Sequence, residues 1–231
     1  MVMAFLPDFW KAWAPSPAFH NDAMLTFFYA PHTCALAAHI ALEEVGAAYE
    51  AVRLDFAAQQ QRSDEYLKIN PKGRVPALAT DRGILTETPA LLLYVAQTWP
   101  QANLAPLDDE FELARMQAFN AYLCATVHVA HAHGRRGPRW SDDPEAWASM
   151  KRKVPDSVGA CFQLIEDEMF EGPWVFGRRY TVADPYLFTF ARWLESDGVD
   201  PARFPKVLAH RKRMYERAAV GVALTMQKDE G

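Results

Sequence analysis

The chain has 231 residues, 50% of them hydrophobic and 23% charged, with a formal net charge of −5, enough material for one large domain or two small ones with a sizeable core. A sequence pI near 5.8 leaves no basic surplus to displace phosphate counterions, which argues against nucleic acid as the main partner. Its three cysteines, Cys34, Cys124 and Cys161, are odd in number, widely spaced and without a Cys-x-x-Cys pair, which argues against a disulfide framework or a zinc ribbon and for a reducing, cytoplasmic setting; no apolar run of about 18 residues predicts a membrane span.

Residues 1–23 carry Phe5, Phe9, Trp10, Trp13 and Phe19, with Pro7, Pro15 and Pro17 breaking up any long helix and neither a basic leader nor a clean apolar stretch. They read as an extension outside the fold, with Met24 as a natural first residue, or as a short surface helix. Leu25 to Ala30 has the aromatic and β-branched content of a buried strand, which Pro31 stops. The Ala-rich run from Cys34 to Val45 carries apolar residues at helical spacing and ends at a Gly46 cap, so Cys34 is expected in a first helical turn. Tyr49 to Phe56 alternates as a second strand, and Ser63-Asp64-Glu65 starts a short helix ending near Asn70.

The stretch Asn70 to Leu78 reads Asn-Pro-Lys-Gly-Arg-Val-Pro-Ala-Leu. Pro76 stands at the threshold of a strand beginning near Ala77, where its missing N–H is tolerated. A cis Val75-Pro76 bond would turn the Val75 backbone outward to meet a ligand; a trans turn before an edge strand is the plainer alternative. Ala77–Thr80 and Ile84–Thr86 flank Asp81-Arg82-Gly83 as a hairpin. Thr88-Pro89 starts a helix, with Thr88 as N-cap, that runs to Thr98. The order is therefore β-α-β-α-β-β-α, followed by a linker through Pro100 to Asp108. Beyond it only helices are expected: Glu110 to about His133, Pro144 to Met169, Thr181 to Glu195, Pro205 to about Arg217, and a short tail helix. Thr181-Val182-Ala183-Asp184 reads as a capping box with Asp in place of Glu, in which each side chain satisfies the other's orphan N–H.

Two places carry chemistry. A Cys34 thiol in a first helical turn meets the positive end of the macrodipole, which favours thiolate; the alternative is a small buried apolar residue, the reading taken for Cys124 and Cys161. Glu87 beside Thr88 offers a carboxylate for an ammonium, and a hydroxyl with free N–H groups for a carboxylate, as an α-amino acid headgroup requires; plain capping is the alternative for Thr88.

Taken together, Pro31-His32-Thr33-Cys34, Asn70 to Leu78, Glu87-Thr88 and Thr181 to Thr189 resemble, in order and separation, the motifs of bacterial glutathione transferases, nearest to the beta class. The resemblance spans Met24 to the C-terminus. It implies an α/β thioredoxin-like N-terminal domain plus an all-α C-terminal domain: residues 24–99 binding glutathione, 100–108 as linker, 109–231 all-helical. It further implies a cytoplasmic homodimeric detoxification enzyme that uses glutathione as co-substrate against a hydrophobic small molecule. Val75, ahead of a cis Pro76, would pair with the cysteinyl backbone of glutathione, Glu87 and Thr88 would hold its headgroup, and Cys34, Thr33 and His128 would serve the thiolate, with Tyr29 as a further thiolate donor. In this reading either glutathione's own sulfur attacks, assisted by Cys34 and Thr33, or Cys34 forms a mixed disulfide. A non-catalytic glutathione-fold protein that binds ligands or scaffolds partners is the rival.

This chain departs from the family pattern in places. No lysine stands between Asp55 and Gln61 for the glycyl carboxylate, which leaves Arg62 as substitute, and the asparagine that precedes the helix histidine falls on Ala121. His32 is bulkier than the usual glycine. In His128-x-x-His131-x-His133 the last histidine falls off the face of the first two, so no metal site is expected.

Overall fold

In the computed structural model, which describes residues 25–228, the sheet is built around β1 (Leu25–Tyr29). The extension assigned to residues 1–23 lies outside the described residues. All five β1 side chains are buried, because β1 has a neighbour on each edge and a helix layer on its faces. It pairs in parallel with β2 (Tyr49–Arg53) and antiparallel with β3 (Ala77–Thr80), which pairs antiparallel with β4 (Gly83–Thr86), giving the order β2-β1-β3-β4. Phe27 stands opposite Ala51 on one side and Leu78 on the other.

β2 stops at Arg53, short of the expected Phe56, after Leu54 N–H bonds to Tyr29 O at 2.8 Å. Asp55 ends it: its carboxylate accepts the Ala57 and Ala58 N–H groups and so bends the chain out of the ladder. Helix α1 (Ala35–Glu44) buries its first eight residues, Ala-rich so that neighbours approach closely, and packs against α3 (Thr88–Thr98), α7 (Ala183–Ala191) and α9 (Ala218–Met226). It closes in a Schellman motif: Gly46 at φ +64° donates to Glu43 O and Ala47 to Leu42 O. Helix α2 (Asp64–Ile69) starts under Ser63, whose hydroxyl accepts the Tyr66 N–H at 3.2 Å.

The helical unit contains α4 (Glu110–Tyr122), α5 (His128–Ala132), α6 (Pro144–Leu164), α7, α8 (Pro205–Tyr215) and α9. The single helix expected over residues 110–133 is interrupted by a π-helical turn at Leu123–Val127, and α6 ends in a second such turn at Ile165–Met169. These insertions shift side-chain register without breaking the helix, so apolar periodicity does not betray them.

Every residue of α7 is buried. Asp184 anchors it, fully buried and accepting from the backbone N–H of Val175 (2.9 Å) and Thr181 (2.7 Å), with His210 Nε2 at 3.1 Å. The capping box is thus half as expected. Asp184 does take the Thr181 N–H, but the Thr181 hydroxyl accepts from Ala183 N–H, and Asp184 N–H turns to the Thr181 carbonyl. That last bond also serves the carbonyl that Pro185, lacking an N–H, would leave without a donor. The two units are stitched at Glu44, which accepts from Tyr180 Oη (3.0 Å) and from Arg217 Nε and Nη2 (2.5 and 2.7 Å), and at Leu104, whose carbonyl takes the Val182 N–H.

Candidate functional site

A cleft of about 840 Å³ opens where the start of α1, the Asn70–Pro76 loop, the start of α3 and the α5 region meet. This is the upper part of the size range of small-molecule sites, roughly 300–1,000 Å³. It is lined by Thr33, Cys34, Val75, Pro76, Glu87, Thr88 and His128 together, so seven of the residues singled out in the sequence border one space.

The loop is held from beneath. Tyr66 Oη and Asn70 Nδ2 both donate to the Arg74 carbonyl at 2.7 Å, while Gly73, at φ +58°, turns back to Asn70 O at 2.8 Å. Gly73 admits no side chain, since a Cβ there would stand 2.8 Å from the Arg62 guanidinium and from Gln61 O. Beyond it the Val75-Pro76 bond is cis. The Val75 carbonyl faces the Cys34 Sγ at 3.8 Å, and the Val75 N–H has no hydrogen-bond partner among the described residues.

Cys34 is the N-cap of α1, one residue ahead of its first turn, and only partly exposed. The expectation of a helix-stabilised thiolate is corrected here. Burial pushes the Cys34 thiol up from its ordinary value, and the repulsion of Cys124 adds to this, against the smaller opposing pull of the Thr88 hydroxyl and Arg136. Loss of hydration is the largest influence on the thiol, and a carbonyl acceptor beside the sulfur suits S–H rather than S⁻.

Thr33 uses its hydroxyl locally, donating to Ala30 O at 2.7 Å and accepting from Ala35 N–H at 3.3 Å. Its proton is therefore committed to the turn. Glu87 is the α3 N-cap, at φ +75°, so Thr88 stands in the first turn and not at the cap expected for it. The Glu87 carboxylate, half-exposed, takes Lys72 Nζ at 2.5 Å, and the same ammonium donates to Thr86 Oγ1 at 2.6 Å.

His128 packs its ring against Phe190 and Trp193, with centroids 5.4 and 5.8 Å away. Burial first, then the charges of His131, Arg136, Arg139 and Arg74, hold its pKa down at about 4. It is neutral near pH 7, so what it offers the cleft is a ring hydrogen bond and not a positive charge. Tyr29 lies elsewhere: its hydroxyl donates to Met226 O at 2.9 Å, away from the cleft lining. His131 is bound to Asp197 at 2.8 Å and His133 packs on Trp140. Among the described residues no group of three His, Cys, Asp or Glu could hold a metal ion.

Sequence reasoning missed Arg74, Arg135, Arg136 and Arg139, which line the cleft beside Arg62. The signal present was the short run Arg135-Arg136-Gly137-Pro138-Arg139, whose spatial partners are sixty residues or more away in the chain.

Family models for the glutathione S-transferase N-terminal and C-terminal domains match residues 23–97 and 116–218. The chain is 32% identical over 206 residues to glutathione S-transferase GstA of Escherichia coli O157:H7, covering 88% of this chain and 98% of that one. Among solved structures, a glutathione transferase homologue from Sulfitobacter with bound glutathione superposes with a TM-score of 0.85 at 44% identity, over 88% of this chain and 98% of the other. The beta-class glutathione S-transferase of Sphingomonas chungbukensis gives 0.77 at 35% identity, over 87% and 98%.

Proposed function

The chain belongs to the glutathione S-transferase family, with a thioredoxin-like N-terminal unit and a helical C-terminal unit, and from that premise we propose how its cleft binds glutathione and transfers it. Three separate segments converging on one cleft carry the reading: the Cys34 end of α1, the Val75 backbone and the Glu87-Thr88 start of α3. The Val75 N–H and C=O pair with the cysteinyl backbone of glutathione. Glu87 exchanges Lys72 for the γ-glutamyl ammonium, and the Thr88 N–H and hydroxyl receive the adjacent carboxylate. Arg62, packed over Gly73, serves the glycyl carboxylate in place of the absent lysine.

When a peptide N–H takes the Val75 carbonyl, the Cys34 S–H loses its acceptor and turns to the incoming sulfur. A neutral thiol is a donor, so Cys34 stabilises glutathione's thiolate by a hydrogen bond, and that sulfur is the nucleophile. The raised pKa of Cys34 favours this route over a Cys34 mixed disulfide. His128, neutral, supplies a further polar edge to the same space. The electrophile lies against Tyr186, Trp193 and Trp140. In this proposal residues 24–99 and 109–231 are two domains, and the protein is a cytoplasmic homodimer acting in detoxification; no helix among the described residues is long and apolar enough to cross a membrane.

Calorimetric titration with glutathione tests the reading. Sub-millimolar binding that weakens about tenfold in Glu87→Gln is expected, the size of one charge-assisted hydrogen bond. No binding at millimolar glutathione would overturn it in favour of a non-catalytic glutathione-fold protein.

A further inference from the structure

The cleft wall carries five arginines, Arg62, Arg74, Arg135, Arg136 and Arg139, against a single carboxylate, Glu87. In a chain of net charge −5 this is a local inversion of sign. Among the described residues none of the five has a carboxylate partner, while the one carboxylate is already held by Lys72. The guanidinium groups instead feel one another: burial and the neighbouring Arg136, Arg74 and Arg62 bring Arg139 down to about 10, and burial with Arg74 and Arg62 lowers Arg136. Like charges gathered on one wall raise the local positive potential and draw an anion into the space between them.

Glutathione does not fill it. With its thiol ionised it carries two carboxylates, a thiolate and one ammonium, a net −2. The wall carries +5 from arginine and −1 from Glu87, so +2 remains once glutathione is bound. The remaining cations are positioned by the α5 side of the cleft. Arg135 to Arg139 form a tight turn fixed by Gly137, where any Cβ would meet the Trp147 ring at 2.7 Å. Aromatic faces, Trp140 and Trp193, line the same space.

We propose that the second substrate is an aromatic electrophile bearing a carboxylate or sulfonate, which Arg136 and Arg139 hold while its ring lies against the tryptophans. The proposal rests on the cleft being a glutathione-conjugating site. The anion sets orientation and the ring presents its electrophilic carbon to the glutathione sulfur. For a chloroarene the new bond is C–S, chloride leaves with the C–Cl electron pair, and the glutathione thiol proton passes to solvent.

The test compares 4-chloro-3,5-dinitrobenzoate with its methyl ester, each rate divided by the uncatalysed rate with glutathione. The acid should be preferred about tenfold in kcat/KM, the worth of one charge-assisted contact, and the preference should shrink with added salt. Arg139→Gln should abolish most of the preference for acid over ester, and Arg139→Lys should restore part of it. Equal rates for acid and ester, or a preference untouched by both Arg136→Gln and Arg139→Gln, would overturn the inference and leave glutathione conjugation standing. Conjugation of neither compound by protein that binds glutathione would overturn the conjugation reading and the inference with it.

Discussion

The Cys34 Sγ lies 3.8 Å from the Val75 carbonyl oxygen, a thiol donor facing a backbone acceptor across the cleft. This pairing sets the expected behaviour of Cys34. With no ligand bound, its alkylation by iodoacetamide, followed by mass spectrometry, should titrate above the ordinary cysteine value of about 8.5. Thr88→Val should move the inflection higher still, because the Thr88 hydroxyl is the largest influence holding the thiol down. Alkylation with an inflection below that of free cysteine would restore the thiolate reading.

Cys34→Ala separates the two chemistries. Conjugation should survive with a rate lowered by roughly ten- to a hundredfold, since one hydrogen bond to the attacking sulfur is lost and the nucleophile itself remains. Complete loss of conjugation, with a glutathione–Cys34 mixed disulfide found in the wild type, would point to the covalent route instead.

Asp184 holds α7 in the interior by two backbone N–H groups and His210, all buried. Asp184→Ala strands these donors away from water and should cost about 3 kcal/mol or more in urea unfolding. A loss below about 1 kcal/mol would mean that water enters and replaces the carboxylate.

Acid should destabilise the fold through His39. This ring is buried among Phe27, Tyr29 and Tyr49, with Gln227 Nε2 at 3.1 Å from its Nδ1, and burial lowers its pKa from 6.5 to about 4. As pH falls, the unfolded chain takes up this proton first. The contribution is whole above pH 6.5 and is lost between there and about 4, by at most roughly 1.4 kcal/mol per pH unit. Urea midpoints at pH 7 and pH 5 should differ less in His39→Gln than in the wild type; an unchanged difference would assign the acid sensitivity to other groups.

Much of this was legible from local signals. The β1 aromatic run, the Gly46 stop, the Ser63 cap and the Asn70–Leu78 loop act over a few residues each, and they place Cys34, Val75 and Glu87-Thr88 around one cleft. Where the sequence misled, the cause was tertiary. The helix end alone argues for a Cys34 thiolate, whereas burial pushes the thiol up, with the Thr88 hydroxyl opposing that shift and Cys124 adding to it from far along the chain. Thr is a good cap and local rules favour Thr88, but the chain turns at Glu87 through a positive φ that no sequence rule assigns to Glu. The arginine cluster joins residues 62, 74 and 135–139, a juxtaposition that only the packing of one unit on the other creates.

Glutathione's own sulfur, bound in the cleft beside a protonated Cys34, is expected to be ionised. Nuclear magnetic resonance of glutathione labelled with carbon-13 at the cysteinyl Cβ, titrated with pH in the complex, measures this directly. The thiol of bound glutathione should ionise at least about one pH unit below that of free glutathione, with Cys34 still unmodified. A bound thiol that ionises at the free value or above, or a label that appears as a disulfide to Cys34, would contradict it.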